Sequence, residues 1–191
     1  MTSSTTGRVR QKERTRRAIG DAARELVESG GEVTMPVVAA HAGVSEATAY
    51  RYFPDLVTLL RDAVHDTWPA VEDLLGAELD GVTDVPERVA RATRAFCART
   101  LRQERAVRAL VAASLTGASE ERPAHRFEVI DHALAPMPAG AAREELVLSL
   151  AVVISAESLF SLLDLCGLDP EEATASLVRT ARTVAGCAPR P

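Results

Sequence analysis

Residues 34–53 read TMPVVAAHAGVSEATAYRYF, and this stretch decides how the chain is built. Thr34 is placed to cap a short helix, with Pro36 in its first turn where backbone amides lack partners anyway. Val37, Val38 and Ala39 fill that helix, which ends at Ala42 with Gly43 as its stop. Val44 sits in the turn to plug the angle between helices, and Ser45 caps the next one. Pro54 disfavours helical backbone in the residue before it, so the second helix finishes near Phe53. Ala49 and Phe53, four apart, turn to the core. Glu46, Ala47, Thr48, Tyr50, Arg51 and Tyr52 are left on the outer surfaces. Two short helices on a tight turn form a helix-turn-helix, and the second is short and polar enough to enter a major groove.

Working outward, a helix is predicted over residues 12–29. Its apolar Ile19, Ala22, Ala23, Leu26 and Val27 follow a 3.6-residue period, and Gly30-Gly31 stops it. Asp55 caps a fourth helix carrying Leu56, Leu59, Leu60 and Val64, interrupted near Trp68-Pro69. Further helices are expected at about 70–79, 85–102, 104–117, 123–135, 141–166 and 170–186. Gly81–Pro86, Gly117–Pro123, Pro136–Gly140 and Gly167–Pro170 mark the loops. The fold class is therefore all-α. An N-terminal three-helix helix-turn-helix head (12–66) follows a disordered arm (1–11), and a helical body (67–191) packs on the head.

Composition agrees: apolar residues make up 47%, charged residues 26% and aromatics only 4%, a helix-favouring balance for a globular chain. The longest apolar stretch, near Leu146 to Ile154, is broken by Ser149, Ser155 and Glu157, so no membrane span and no membrane partner are expected. The N-terminal residues lack the apolar core of a secretion signal. Cys97, Cys166 and Cys187 are odd in number and far apart, which argues against a disulfide framework or zinc site and fits a cytoplasmic location. The net charge of −5 is unevenly spread. Residues 8–17 hold six basic side chains and one acid, whereas residues 61–191 hold 14 basic and 20 acidic. A basic end on an acidic body suggests that one end meets phosphate; a merely solvated tail is the alternative.

The residues from Arg16 to Leu60 resemble the tetracycline-repressor (TetR) family of bacterial regulators. The resemblance runs through Ala42-Gly43-Val44-Ser45, Thr48, Tyr50, Tyr52-Phe53, Asp55 and Leu59, and it is strong over about the first 65 residues. It implies a head whose third helix reads double-stranded operator DNA. Carried over position by position, Thr34, Ser45, Thr48, Tyr50 and Tyr52 are phosphate contacts, and Glu46, Ala47 and Arg51 face the bases. Hydroxyls suit phosphate, and arginine suits guanine O6 and N7. The family usually carries lysine where this chain has Leu56; Arg16, Arg17 and the basic arm are the candidates to compensate. Glu46 either accepts from cytosine N4 or is a solvated acid favoured at a helix start.

In the body, residues 143–166 are apolar on most sides, so this helix is expected to be buried on more than one face. With the last helix it forms a four-helix bundle across a two-fold axis, giving a homodimer through Leu150, Val153, Ile154, Leu177, Val178 and Ala181. The resemblance implies the same dimer and a cavity for a small-molecule effector. Trp68, Phe96, Phe127 and Phe160 are candidates to line it, with ordinary core packing as the alternative. Ser155 and Glu157 are candidate polar anchors; a ligand amine, an arginine or the dimer mate could partner Glu157. His125, Glu128 and His132 share a helical face, but a solvated face describes them better than a metal site, and no cofactor is expected. No phosphate loop, zinc-protease or nucleophile-elbow motif is present, so an enzyme is not expected. The expectation is a ligand-released transcriptional repressor; the alternative is a helical dimeric interaction module that has lost operator binding.

Overall fold

The computed structural model describes residues 3–115 and 125–187, and all their regular structure is helical. The expected loop between Gly117 and Pro123 lies outside the described residues. The chain divides into two compact units, 1–67 with 102–122, and 68–101 with 123–191.

The first unit holds α1 (Ser3–Glu28), α2 (Met35–His41), α3 (Glu46–Tyr52), α4 (Leu56–Thr67) and α7 (Glu104–Leu115). Helix α1 begins at Ser3 and not near Lys12, so residues 3–11, expected as a disordered arm, continue the helix. No proline interrupts them, and Gly7 alone costs only about 1 kcal/mol. The far end stops where expected. Gly30 takes φ +67°, the Gly31 amide donates to the Leu26 carbonyl at 3.0 Å and that of Gly30 to Val27 at 3.2 Å. This is the paired closure of a Schellman turn, open to glycine because it lacks a Cβ. Ile19, Ala22, Ala23 and Val27 of α1 pack with Val38 of α2, Ala49 and Phe53 of the α3 segment, and Leu59, Leu60 and Ala63 of α4.

This unit is larger than the expected head. Ala106 and Leu110 of α7 join the same core. Gln103, just before α7 and almost fully buried, donates to the Thr67 hydroxyl at the end of α4 at 2.6 Å. Such packing between distant stretches is not written in local periodicity.

The second unit holds α5 (Val71–Leu79), most of α6 (Val85–Arg102), α8 (His125–Ala133), α9 (Ala141–Val153), α10 (Ala156–Asp164) and α11 (Pro170–Cys187). Its main core gathers Leu75, Val89, Phe96, Ile130, Leu150 and Ala181. A smaller cluster holds Cys97, Leu159, Ala173 and Leu177. Burial pushes the Cys97 thiol up to about 12, so it packs as a small apolar side chain.

The single helix expected over 141–166 is two helices. Ile154 leaves the helical region with ψ 75°, and Ser155 restarts the chain as the cap of α10, its Oγ accepting from the Ser158 amide. By length and composition, residues 141–164 could cross a bilayer, contrary to the expectation that no stretch reaches that length. Here the break falls mid-segment, and Leu146, Leu150, Ile154 and Leu159 are buried within the unit.

One buried cation organises this unit. The Arg88 guanidinium donates to the carbonyls of Ala133 at 2.8 Å, His132 at 2.8 Å, Leu79 at 3.2 Å and Val82 at 2.9 Å. Leu79, His132 and Ala133 belong to the last turns of α5 and α8, and Val82 to the loop after α5; the macrodipole favours a positive charge at such ends. Replacing Arg88 with methionine should lower unfolding stability by about 3 kcal/mol in urea denaturation, because several buried carbonyls lose their donor at once. Arg88→Lys, with one point of donation, should fall between wild type and Arg88→Met.

Candidate nucleic-acid interface

The turn between α2 and α3 is built by the residues that suggested it. Gly43 takes φ +67°, the Val44 amide donates to Ala39 at 2.9 Å and the Gly43 amide to Ala40 at 3.2 Å. This second Schellman closure reverses the chain within four residues. Val44 packs against the core, as the plug of the angle must. Ser45 is extended and caps α3, its Oγ accepting from the Thr48 amide at 3.3 Å and sharing a 2.9 Å hydrogen bond with the Thr48 hydroxyl. Phe53 is extended before Pro54 and ends the helix.

Thr34 departs from its expected task. It occupies the cap position of α2 with extended backbone, but its hydroxyl makes no capping bond. Its carbonyl accepts the first intrahelical bond, from the Val38 amide at 2.9 Å, and Pro36 removes one of the amides a cap would have to meet. Its hydroxyl is therefore not spent on the helix.

Helix α3 divides sharply into two faces. Ala49 and Phe53 are buried, while Glu46, Ala47, Tyr50 and Arg51 are exposed and Thr48 and Tyr52 half-buried. Tyr50 is 46% exposed, its ring turned away from the core that Ala49 and Phe53 enter. Tyr52 packs partly into the core and carries the Arg51 guanidinium 5.4 Å from its ring centre. Leu56 is half-buried against the same core. The position has exchanged a solvent-reaching cation for packing.

Arg17 is exposed on α1; its neighbour Arg16, also exposed, reaches back along the surface and donates to the Tyr52 carbonyl at 3.1 Å. The reach from α1 back to the end of α3 spans 36 positions, so no local pattern signals it.

The other expected site residues, all in the second unit, scatter. Trp68 and Phe96 come together, ring centres 5.7 Å apart. Trp68 also stacks on His125 at 4.7 Å with rings nearly parallel, and the Arg99 guanidinium lies 5.9 Å from the same ring. His125 is thus buried against an indole and not on the solvated face expected for it. Phe127 is 44% exposed and Phe160 buried. Glu157 is held by both oxygens on Arg126, at 3.1 and 2.8 Å, which leaves no need for a ligand amine. Ser155 is occupied in capping α10. Among the described residues no three His, Cys, Asp or Glu side chains group as a metal site.

Of the six expected dimer contacts, Val153 is half-buried and the other five are buried within the chain itself. Leu150, Ile154 and Ala181 have no exposed surface at all, and Leu177 and Val178 have less than a tenth. Leu150, Ile154, Ala181 and Leu177 are spent on the core of their own unit. The apolar side chains that α9–α10 present to solvent are Leu148, Val152 and Leu165, which are 67%, 71% and 84% exposed. A helix apolar all round fixes neither face by composition.

Residues 19–63 match the family model described as bacterial regulatory proteins, tetR family. The chain carries a TetR-family helix-turn-helix domain. The match spans α2, α3 and the turn between them, with the C-terminal part of α1 before them and most of α4 after them. It supports a DNA-binding regulatory role in general. Comparison with curated proteins gives no match. The TetR-family domain depends on its caps: Ser45→Ala should cost about 1 kcal/mol of unfolding free energy in thermal or urea denaturation.

Proposed function

We propose that the chain is a ligand-responsive, cytoplasmic transcriptional repressor that binds a palindromic operator as a homodimer and is released by a small molecule. The observation that carries this reading is the division of α3. A seven-residue helix is anchored by Ala49 and Phe53 while Glu46, Ala47, Tyr50 and Arg51 face solvent. Thr34, Ser45, Thr48, Tyr50 and Tyr52, with Arg17 from α1, supply contacts to phosphate. Arg51 reads guanine, Glu46 accepts from cytosine N4, and Ala47 lets the backbone approach the groove.

Self-association is supported by the exposed apolar band. Leu148 and Val152 lie four apart on one face of α9, with Leu165 just past α10. A two-fold pairing through this band gives two heads, which meet a palindrome at a spacing of about 34 Å or a multiple. The double variant Leu148→Glu, Val152→Glu should sediment as a monomer at concentrations where wild type is dimeric, with its far-ultraviolet circular dichroism retained. The effector would lie against the Trp68–Phe96 pair in the second unit, and its binding would change the separation of the heads. Differential affinity of about 1–3 kcal/mol between the two states suffices for this.

A second reading has its own observation. Leu56 turns into the core, and Glu46 puts a carboxylate on the reading helix, so the chain could be a dimeric interaction module without operator binding. The deciding experiment selects DNA from a random-sequence pool and titrates binding against salt. Wild type should bind a selected palindrome, losing affinity steeply as salt rises. Tyr50→Ala should weaken binding by about tenfold or more. Dimers that select no sequence even at about 50 mM salt would establish the interaction module instead.

A further inference from the structure

Arg16 carries a charge in the basic N-terminal segment, and on charge alone it counts as a phosphate contact. Its side chain is 54% exposed, yet its polar contacts are made to the fold. One guanidinium nitrogen donates to the carbonyl of Tyr52, the last residue of α3, at 3.1 Å. The plane lies 4.5 Å from the centre of the Phe53 ring. The other terminal nitrogen is 3.7 Å from the Asp62 carboxylate on α4. One side chain from α1 thus touches the end of the reading helix, the ring that anchors that helix, and the helix that follows it.

Each contact has a physical reason. The final carbonyls of a helix have no intrahelical acceptor role to fill, and the negative end of the macrodipole favours a cation there. In α3, with only seven residues, this end is a large part of the whole. Phe53 is 3% exposed, so the ring beneath the guanidinium is fixed, and a cation over a fixed aromatic face is held in plane. Asp62 completes the charge balance from α4. Only a planar, multiply donating cation can meet an oxygen at one edge, a carboxylate at another and a ring on its face; an ammonium cannot.

We propose that Arg16 is a positioning residue: it fixes the direction of α3, and through it operator selectivity, without itself contacting phosphate. The proposal rests on the reading of α3 as the DNA-contacting helix for its effect on selectivity, but its structural half can be measured without DNA.

The test uses the full chain as wild type, Arg16→Ala, Arg16→Lys and Asp62→Asn. Amide hydrogen exchange is followed by NMR at Ala49 to Phe53. Loss of the joint should speed exchange at Tyr52 and Phe53 several-fold in all three variants, while α1 and α4 amides keep their protection. On DNA, Arg16→Ala should lose about tenfold in affinity for the selected sequence, the scale of one charge-assisted hydrogen bond. Affinity for random DNA, and the slope of log K against log salt, should not change. Arg16→Lys, which keeps the charge, should lose selectivity in the same way. Asp62→Asn provides the same test should Arg16→Ala fold poorly.

A phosphate contact behaves differently. Its removal would lower the salt slope by about 0.9 and weaken selected and random DNA alike, and lysine would replace it. That outcome, or unchanged exchange in α3, overturns the proposal. If wild type selects no sequence, the regulatory reading fails and the exchange rates alone decide whether Arg16 positions α3.

Discussion

A helix of seven residues cannot hold its shape or its direction in water, because its nucleation cost is spread over too few hydrogen bonds. That constraint governs the first unit. Helix α3 exists because something at each end replaces the bonds it lacks. The Ser45 hydroxyl takes an amide at the start, the Gly43 turn presents the helix at a sharp angle, and the extended Phe53 before Pro54 anchors its exit. The outer face is thereby freed from any structural duty. Tyr50, Arg51 and Glu46 need not pack, which is why they can be polar and exposed, and why a helix this small can read a groove.

The features legible in the sequence are those whose cause is local. Caps, glycine stops and the proline after Phe53 act within four residues of themselves, so α2, α3 and their turn were readable one residue at a time. The same holds for the apolar face of α1. Where the cause is distant or symmetric, pattern fails. Residues 141–166 are apolar on nearly all sides, so neither the break at Ile154–Ser155 nor the face turned outward emerges from periodicity. The inward face took Leu150 and Ile154, and Leu148 and Val152 were left exposed. Ser155 with Glu157 in the following turn is a helix-start signal that marks the break locally, although both residues equally suit a polar anchor in an apolar segment. Arg88 was also visible in principle. It lies four and eight residues before Ala92 and Phe96, on the buried stripe of α6, where an arginine demands acceptors.

The partner of Glu157 illustrates the same limit in energetic terms. A carboxylate in an apolar segment must be paired or neutralised, and sequence can state that demand without naming what meets it. Arg126, 31 positions earlier, meets it with both carboxylate oxygens and also donates to the Ala151 carbonyl near the end of α9 at 3.4 Å. One arginine therefore closes one helix and holds the next, so the break is a built joint and not a defect.

That pattern recurs, and it changes how the charge of this chain should be read. Of 22 basic residues all but Lys12 are arginine. Arg16 serves the end of α3, Arg88 the ends of α5 and α8, Arg126 the end of α9, and Arg91 the Glu78 carbonyl in α5. A fold of many short helices creates many orphan carbonyls, and glycine turns close only some of them. A planar fork that donates along several directions closes the rest, where lysine would reach one. Of these arginines, Arg88 is buried, whereas Arg16 makes its contacts at the surface. The positive charge near the N-terminus is thus partly structural: Arg16 is tied to the end of α3, while Arg17 and Arg51 stand at the surface of α1 and α3.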